Sequence, residues 1–440
     1  MTQNRLSYGI DFGTTNSSVA IIDNQNKLLK LPIDPLAEDP TVMRSVIYVN
    51  PDKKFYFGRD GINKYLENIN KGNGTEYKTV FTGRYVNALN SSGKYEPIQE
   101  IVDIETFPTG RLLQSLKSAL SNHTVQKVNL FGEIYPIEEL IGKFLHELKV
   151  RADNIVGEDV KNAIIGRPVE YVGNDNELAI KRMTLAAKYA GFEKVEFEYE
   201  PIGAAYDYGV NITVPQTVLI FDFGGGTLDI SEVKFPDHEI LSNIGLKIGG
   251  DYFDSEIFAN KLAKFFGQGT TYGKSKLEMP RHIYNSLETW YGISLLKTRS
   301  FLNEFEGFRF MCSNINSINA LKSLVFNNLG FKMYDEIEKV KKNLSKNTSE
   351  IYEFNESNID IKTEITKTDF EKIITSDIND IKNVIRDKKV DVVATTGGSS
   401  LIPIIQELLI NIFGKEKIKS SSTFTSVAAG LAQIAKTKFS

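Results

Sequence analysis

Two short apolar runs, each ended by the same punctuation, organise the hydrophobic and polar pattern of this chain. The first is Gly9-Ile10-Asp11-Phe12-Gly13-Thr14-Thr15-Asn16. The second is Phe221-Asp222-Phe223-Gly224-Gly225-Gly226-Thr227-Leu228-Asp229. Another apolar run follows each, Val19-Ala20-Ile21-Ile22 and Ile230-Ser231-Glu232-Val233. That reads as strand, tight Gly/Thr turn, strand, a hairpin built for something close to the backbone. The device occurs once per half, so the two copies suggest one anionic ligand gripped from both sides.

Between them the period changes to that of helices. Leu140, Ile141, Phe144, Leu145 and Leu148 share one helical face. A buried-type strand, Asn162–Gly166, is stopped by Arg167-Pro168. A helix opening near Asn174-Asp175 carries Ile180, Met183, Ala187 and Ala190 inward, with Gly191 placed as its cap. Lys194–Phe197 is a short strand, and Glu200-Pro201-Ile202-Gly203-Ala204-Ala205 starts another helix. Such strand–helix alternation predicts an α/β layered domain.

The second half restarts at Thr217–Phe221, and residues 255–350, which include Trp290, read as largely helical. Val390–Ala394 is a buried-type strand and Thr395–Ser400 a glycine-containing turn. A helix with Pro403 in its first turn follows, striped by Ile405, Leu408, Leu409 and Ile412 and ended by Gly414. A last helix holds Val427, Ala428, Leu431 and Ala432. Residues 50–110 are polar and weakly periodic, as in a peripheral subdomain.

At 440 residues the chain exceeds what one core supports, so two or more domains are expected. A net charge of −4 gives no basic excess for nucleic-acid binding. Cys312 is the single cysteine, which excludes a disulfide framework and a CxxC pair. His123, His146, His238 and His282 have no ligand spacing and read as structural or surface. The start of the chain lacks a signal-peptide apolar region, and no apolar run reaches membrane-spanning length. No membrane partner and a cytoplasmic location are the expectations.

The chemistry follows from the turns. A phosphate needs several backbone N–H groups converging without side-chain obstruction, which a Gly/Thr turn supplies. An aspartate ending the preceding strand suits a hydrated Mg²⁺, which keeps waters and takes one or two carboxylates. Asp11 and Asp222 therefore suit a metal between two halves. A third turn, Thr396-Gly397-Gly398-Ser399, permits close approach of a flat or phosphorylated ligand. The GxxxxGK[ST] pattern is absent, which disfavours the P-loop class.

On these motifs, together with Gly166-Arg167-Pro168-Val169 and Glu200–Ala205, the chain resembles the nucleotide-binding domain of heat-shock-70 (DnaK-like) chaperones. It is similar to the short stand-alone YegD-like group. The resemblance implies an actin-like ATPase of ribonuclease H-like duplicated domains, with two lobes around a nucleotide cleft and four subdomains. Lobe I is expected over 1–212, with core 1–39 and 111–212 and a peripheral subdomain 40–110. Lobe II is expected over 213–440, with core 213–251 and 366–440 and a peripheral subdomain 252–365. No C-terminal peptide-binding domain is expected, and residues 255–335 exceed the family's corresponding segment in length.

The resemblance further implies ATP or ADP with Mg²⁺, and K⁺ near Asp229, in a slow ATPase serving a protein partner or client. Asp11, Glu200 and Asp222 would hold the Mg²⁺ waters or position the attacking water, with Asp229 in support. Gly13, Thr14, Thr15 and Asn16 would cradle the phosphates from one lobe, and Gly224, Gly225, Gly226 and Thr227 from the other. Gly250, from Ile248-Gly249-Gly250-Asp251-Tyr252-Phe253-Asp254, also belongs to the nucleotide site. Glu338, Lys341, Lys342 and Ser345 would hold ribose and adenine, with Gly397, Gly398 and Ser399 beneath the base. The catalytic lysine is expected at Lys117, with Arg111 as its rival. Departures from the family are Asn16 in place of an aromatic residue, Leu401 in place of an arginine, and Phe424 in place of an acidic residue. Two alternatives keep the fold: a small-molecule (sugar-type) kinase, and a non-hydrolysing scaffold or reactivase.

Overall fold

A computed structural model describes residues 6–439 except 70–76, 90–93, 106–109, 124, 173–174, 211, 290–291, 294–295 and 421–424. Asn174, Trp290 and Phe424 lie outside the described residues. Two five-stranded paths dominate, and they have the same topology. The first runs Leu28–Lys30, Asn16–Ile22, Ser7–Phe12, Asn162–Arg167, Lys194–Tyr199. The second runs Glu239–Leu246, Leu228–Phe235, Gln216–Phe223, Val392–Thr396, Ile418–Ser420. In each, three strands form an antiparallel meander and the last two join in parallel.

The repeated sequence device sits at the same place in both, at the bend from central strand to its antiparallel neighbour. Asp11 faces Ser18 across the first hairpin, and Asp222 faces Asp229 across the second. The central strands read as continuous apolar runs because both of their faces are covered. Helices Ile137–Val156 and Asn176–Tyr189 cover one face of the first sheet with Leu140, Phe144, Leu148, Met183 and Ala187. Asp175 caps the second of these by accepting from the Leu178 N–H, and Gly191 follows its end at φ +92°. Helix Pro403–Phe413 covers the second sheet through Ile405, Leu408 and Leu409.

Two helices, Glu200–Gly209 and Ser426–Phe439, lie between the sheets. They approach through small residues. A Cβ added to Gly430 would stand 1.7 Å from the Gly203 carbonyl oxygen, and one on Gly9 would stand 2.1 Å from the Ala432 nitrogen. The Pro201-Ile202-Gly203-Ala204-Ala205 sequence is thus a packing device. It lets the helix sink between the sheets and brings its first residue, Glu200, to the ends of the central strands.

Outside these layers, Val46–Val49, Phe55–Phe57 and Arg111–Gln114 form a three-stranded sheet backed by helix Gly58–Ile69. Residues 50–110 read as weakly periodic because Tyr77–Leu89 and Tyr95–Glu105 form a separate two-stranded ribbon, exposing Phe81, Tyr85, Val86, Tyr95, Ile98 and Ile101. The segment expected to be helical over 255–350 is so, apart from the short pair Thr271–Tyr272 and Leu277–Glu278 and the strand entered at Ser349. Cys312 is half-buried against the second core. Among the described residues no helix is long and apolar enough to cross a membrane.

Candidate functional site

The ends of both central strands open onto one cavity of about 90 Å³, lined by all three glycine turns. The first turn is pinned from behind: the Ser45 N–H donates to the Thr15 carbonyl at 2.9 Å, and the Ser45 hydroxyl to the Gly13 carbonyl at 2.7 Å. The second is closed by the Gly224 N–H donating to the Thr227 carbonyl at 3.0 Å. The two face each other so closely that side chains are excluded. A Cβ on Gly225 would meet Thr15 Oγ1 at 2.1 Å, and one on Gly226 would meet Thr14 Oγ1 at 2.4 Å.

The third turn needs its first glycine for a different reason. Gly397 sits at φ +79°, and a Cβ there would strike the Phe223 carbonyl oxygen at 2.2 Å. Backbone rather than a flexible side chain is in the way, and the conformation is one L-residues resist. Gly397→Ala is expected to cost about 2 kcal/mol or more, read as a lower urea midpoint at unchanged slope. The sequence places Pro403 in the first turn of the following helix, and the structure agrees. A 3₁₀ turn, Gly398–Leu401, comes before it, and the α-helix begins at Pro403, which fits the first helical position. Leu401 projects into solvent, 52% exposed.

Four carboxylates, from Asp11, Glu200, Asp222 and Asp229, converge on the cavity with one cation, Lys117. Lys117 and Glu200 are 6% and 8% exposed and form a direct ion pair. The lysine reaches it from a 3₁₀ turn, Leu116–Ala119, entered through Ser115 at φ +52°. Arg111 does not enter the cavity; its guanidinium stacks over Phe131 at 5.4 Å. Asp229 is held on both oxygens, by the Thr227 hydroxyl at 2.8 Å and the Val169 N–H at 2.7 Å. That second bond gives Gly166-Arg167-Pro168-Val169 its structural purpose, since the proline ends the strand and turns the next N–H toward the aspartate.

The electrostatics show what is missing. Burial, then repulsion from Glu200, raises Asp11 to about 7, with Lys117 opposing. Asp229 rises to about 7 for the same two reasons, opposed by its bonds to Thr227 and Val169. Asp222 lies well above the ordinary range through burial and the neighbouring Glu200, Asp11 and Asp229. Burial lowers Lys117, but Glu200 and Asp11 more than offset it. One ammonium does not balance three buried carboxylates and the half-buried Asp11, so the cluster fits an added cation. Among the described residues no three His, Cys, Asp or Glu side chains are grouped as direct ligands. A metal held largely through waters suits that donor set.

Not every residue assigned from sequence meets in this cavity. Lys341, Gly250 and Ser399 form a neighbouring group. Lys341 Nζ donates to the Gly250 carbonyl at 2.6 Å and pairs with Asp254 at 2.8 Å, while the Ser399 hydroxyl donates to the Gly224 carbonyl at 2.8 Å. Lys342 is exposed and pairs with Glu338, four residues earlier in the helix Gly330–Asn343. Ser345 follows that helix, its N–H on the Lys342 carbonyl, and lines neither this cavity nor the larger one beside it.

Two residues that sequence reasoning did not single out bridge the halves. Asp251 accepts from the Thr15 hydroxyl at 3.0 Å. Arg44, which pairs with Asn16 in the sheet, reaches Glu338 at 3.2 Å. Its only sequence signal is a two-residue strand, Met43–Arg44. Burial alone would raise Glu338, yet Arg44, Lys342 and Lys341 pull it down to about 2. This depressed carboxylate stabilises the fold above its unfolded value of 4.5, and the contribution is lost as pH falls toward 2. Glu338→Gln is therefore expected to lose about 1–2 kcal/mol at pH 7. The gap to the parent urea midpoint should close as pH falls below 4.

Comparison with known proteins agrees with this geometry. The family described as Hsp70 protein matches residues 107–283 and 312–438. The chain is 26% identical to a chaperone protein dnaK of Guillardia theta, over 96% of this chain and 58% of that protein. It is 28% identical to DnaK of Mycoplasma mycoides, over 73% of this chain and 48% of the other. A Rickettsia prowazekii HscA homologue is 28% identical, over 59% of this chain and 38% of its own length. The chain thus spans little more than half of these relatives at most. The repeated sheets, the three glycine turns and the family match together make this chain a member of the Hsp70 family, with the actin-like ATPase fold.

Proposed function

We propose that the chain binds ATP with Mg²⁺ between its two lobes, hydrolyses it slowly, and changes lobe closure with nucleotide state for a protein partner to read. The observation that carries this reading is the cluster of half-buried Asp11 with buried Glu200, Asp222, Asp229 and Lys117 between two facing glycine turns. In it, residues 1–212 and 213–440 act as the lobes.

Gly13–Asn16 and Gly224–Thr227 offer backbone N–H groups and hydroxyls to the β- and γ-phosphates without a Cβ to obstruct them. Lys117 presents its ammonium to the terminal phosphoryl group, where phosphoryl transfer concentrates negative charge. Glu200, one oxygen engaged by Lys117, orients the water whose oxygen forms the new P–O bond as the bond to ADP breaks. Asp11 and Asp222 would hold a hydrated Mg²⁺, which would supply positive charge to neutralise the phosphates. Asp229 keeps the second turn in shape and offers an oxygen toward K⁺. Lys341, Gly250 and Ser399 shape the adenosine end, to which Glu338, Lys342 and Ser345 of the same lobe belong.

The presence of all four carboxylates and Lys117 in one cavity favours this over a scaffold that only binds nucleotide. Release of phosphate from MgATP with no added acceptor tests the reading. Steady release that is lost in Asp222→Asn supports it. Release only when a sugar is added would support the small-molecule kinase instead.

A further inference from the structure

Beside the phosphate cavity lies a larger one of about 190 Å³, well above the ~10–15 Å³ that one water requires. The two share only Thr14, Gly225 and Gly226, the tips of the first two turns. None of Asp11, Lys117, Glu200, Asp222 and Asp229 lines the larger cavity, and neither does any residue of the third turn. It is a neighbouring compartment, joined to the nucleotide site at those turn tips and at Glu338.

One wall carries an unmet polar group. Gln114 is 9% exposed and lines this cavity, and its Oε1 is buried without a hydrogen-bond partner. Leaving such an acceptor unsatisfied carries its full desolvation penalty. The position is held firmly. Gln114 ends a strand in register with Val46, and the next residue, Ser115, takes up a left-handed φ of +52°. Strain of that kind gathers at ligand clamps.

The charges around the cavity narrow the ligand. Glu338 is paired with Arg44 and Lys342, Asp335 with Lys339, and Asp254 with Lys341. Asp251, which accepts from the Thr15 and Ser115 hydroxyls, and Glu288 line the cavity as well, so with Gln114 Oε1 it offers several acceptors to the hydroxyl donors of a ligand. Hydroxyls of Ser118 and Thr289 line the cavity as further partners, and Tyr252, Phe331 and Tyr334 supply flat apolar surface. A ring with hydroxyls on its edge and C–H groups on its face matches both kinds of wall.

We propose that this cavity binds a small neutral polyhydroxylated molecule, of the monosaccharide or cyclic polyol class, through a hydroxyl donated to Gln114 Oε1. Gln114, Ser115 and Ser118 belong to the first half of the chain, and Tyr252, Thr289 and Tyr334 to the second, so an occupant touches both. Binding then favours closure and raises nucleotide affinity, and nucleotide raises polyol affinity by the same factor. That coupling rests on the lobe closure proposed above; the binding itself does not.

Calorimetric titration of the full chain with D-glucose, D-ribose and myo-inositol, without nucleotide, tests the site. At least one is expected to bind one-to-one with a Kd of about 1 mM or tighter. Gln114→Leu, which keeps the bulk and removes the acceptor, is expected to weaken that binding about tenfold while MgADP binds as before. If this variant fails to fold, Ser118→Phe, which fills the space, is expected to abolish polyol binding. Absence of binding by all three, equal binding by a folded Gln114→Leu, or binding of putrescine in their place would overturn the assignment. Repeating the titration with MgADP tests the coupling alone. Unchanged polyol affinity would overturn the coupling and leave the site standing.

Discussion

Asp11→Asn is expected to make the protein more stable without nucleotide and to erase the stabilisation that MgATP confers. Four carboxylates share one cavity with a single lysine, and Asp11 is raised to about 7 by burial and by Glu200. The ionised form is held at a cost near neutral pH, so replacing the carboxylate with an isosteric amide relieves repulsion. A gain of about 1 kcal/mol in unfolding free energy is expected. In the proposed site the same change also removes a partner of the metal waters. A ligand at a hundred times its Kd stabilises by about 2.7 kcal/mol, and that gain should vanish in the variant. Thermal melts with and without MgATP read both effects. A variant less stable alone and fully stabilised by MgATP would sink the assignment of Asp11.

Lys117→Met should act in the opposite direction. Lys117 is buried, and its ammonium pairs with Glu200 and faces Asp11. Removing one partner of a buried pair leaves the other charge uncompensated, which typically costs about 3–5 kcal/mol. Urea unfolding is expected to show a loss of that size. A charged donor aimed at the transferring phosphoryl group contributes roughly 10²–10³ in rate, so phosphate release should fall by that factor. Unfolding free energy unchanged within about 0.5 kcal/mol would place Lys117 on a solvated surface.

These two residues also show what was legible in the sequence. Asp11 was, because a strand ending in Asp-Phe-Gly-Thr-Thr has few other uses and the chain repeats it at Asp222. The strands and helices around both were legible through their apolar periods. Lys117 was legible only through the family's order of motifs. Its segment, Gln114–Leu120, has no helical stripe, and the structure resolves it into a strained Ser115 and a single 3₁₀ turn. Val169 stood in a quoted motif, but its role is a backbone N–H on Asp229, which carries no side-chain signature.

Contacts between the halves were the least legible. Arg44 and Glu338 are 294 positions apart, and Thr15 and Asp251 are 236 apart. Nothing local marks either member as a partner of the other. Gln114 is hidden for a related reason: a lone glutamine ending a strand reads as surface. Only the cavity around it reveals an acceptor without a donor. The ribbon Tyr77–Leu89 and Tyr95–Glu105 escaped periodic reading because its exposed apolar residues do not alternate cleanly with polar ones.

In the proposed site a phosphate chain is held between two glycine turns with a metal beside four carboxylates. Calorimetry with ATP, ADP and AMP, each with and without Mg²⁺, tests it most directly. ATP and ADP are expected to bind one-to-one with Mg²⁺, AMP at least tenfold more weakly, and all markedly less when Mg²⁺ is removed. Equal binding of AMP and ADP, or affinity indifferent to Mg²⁺, would contradict that arrangement.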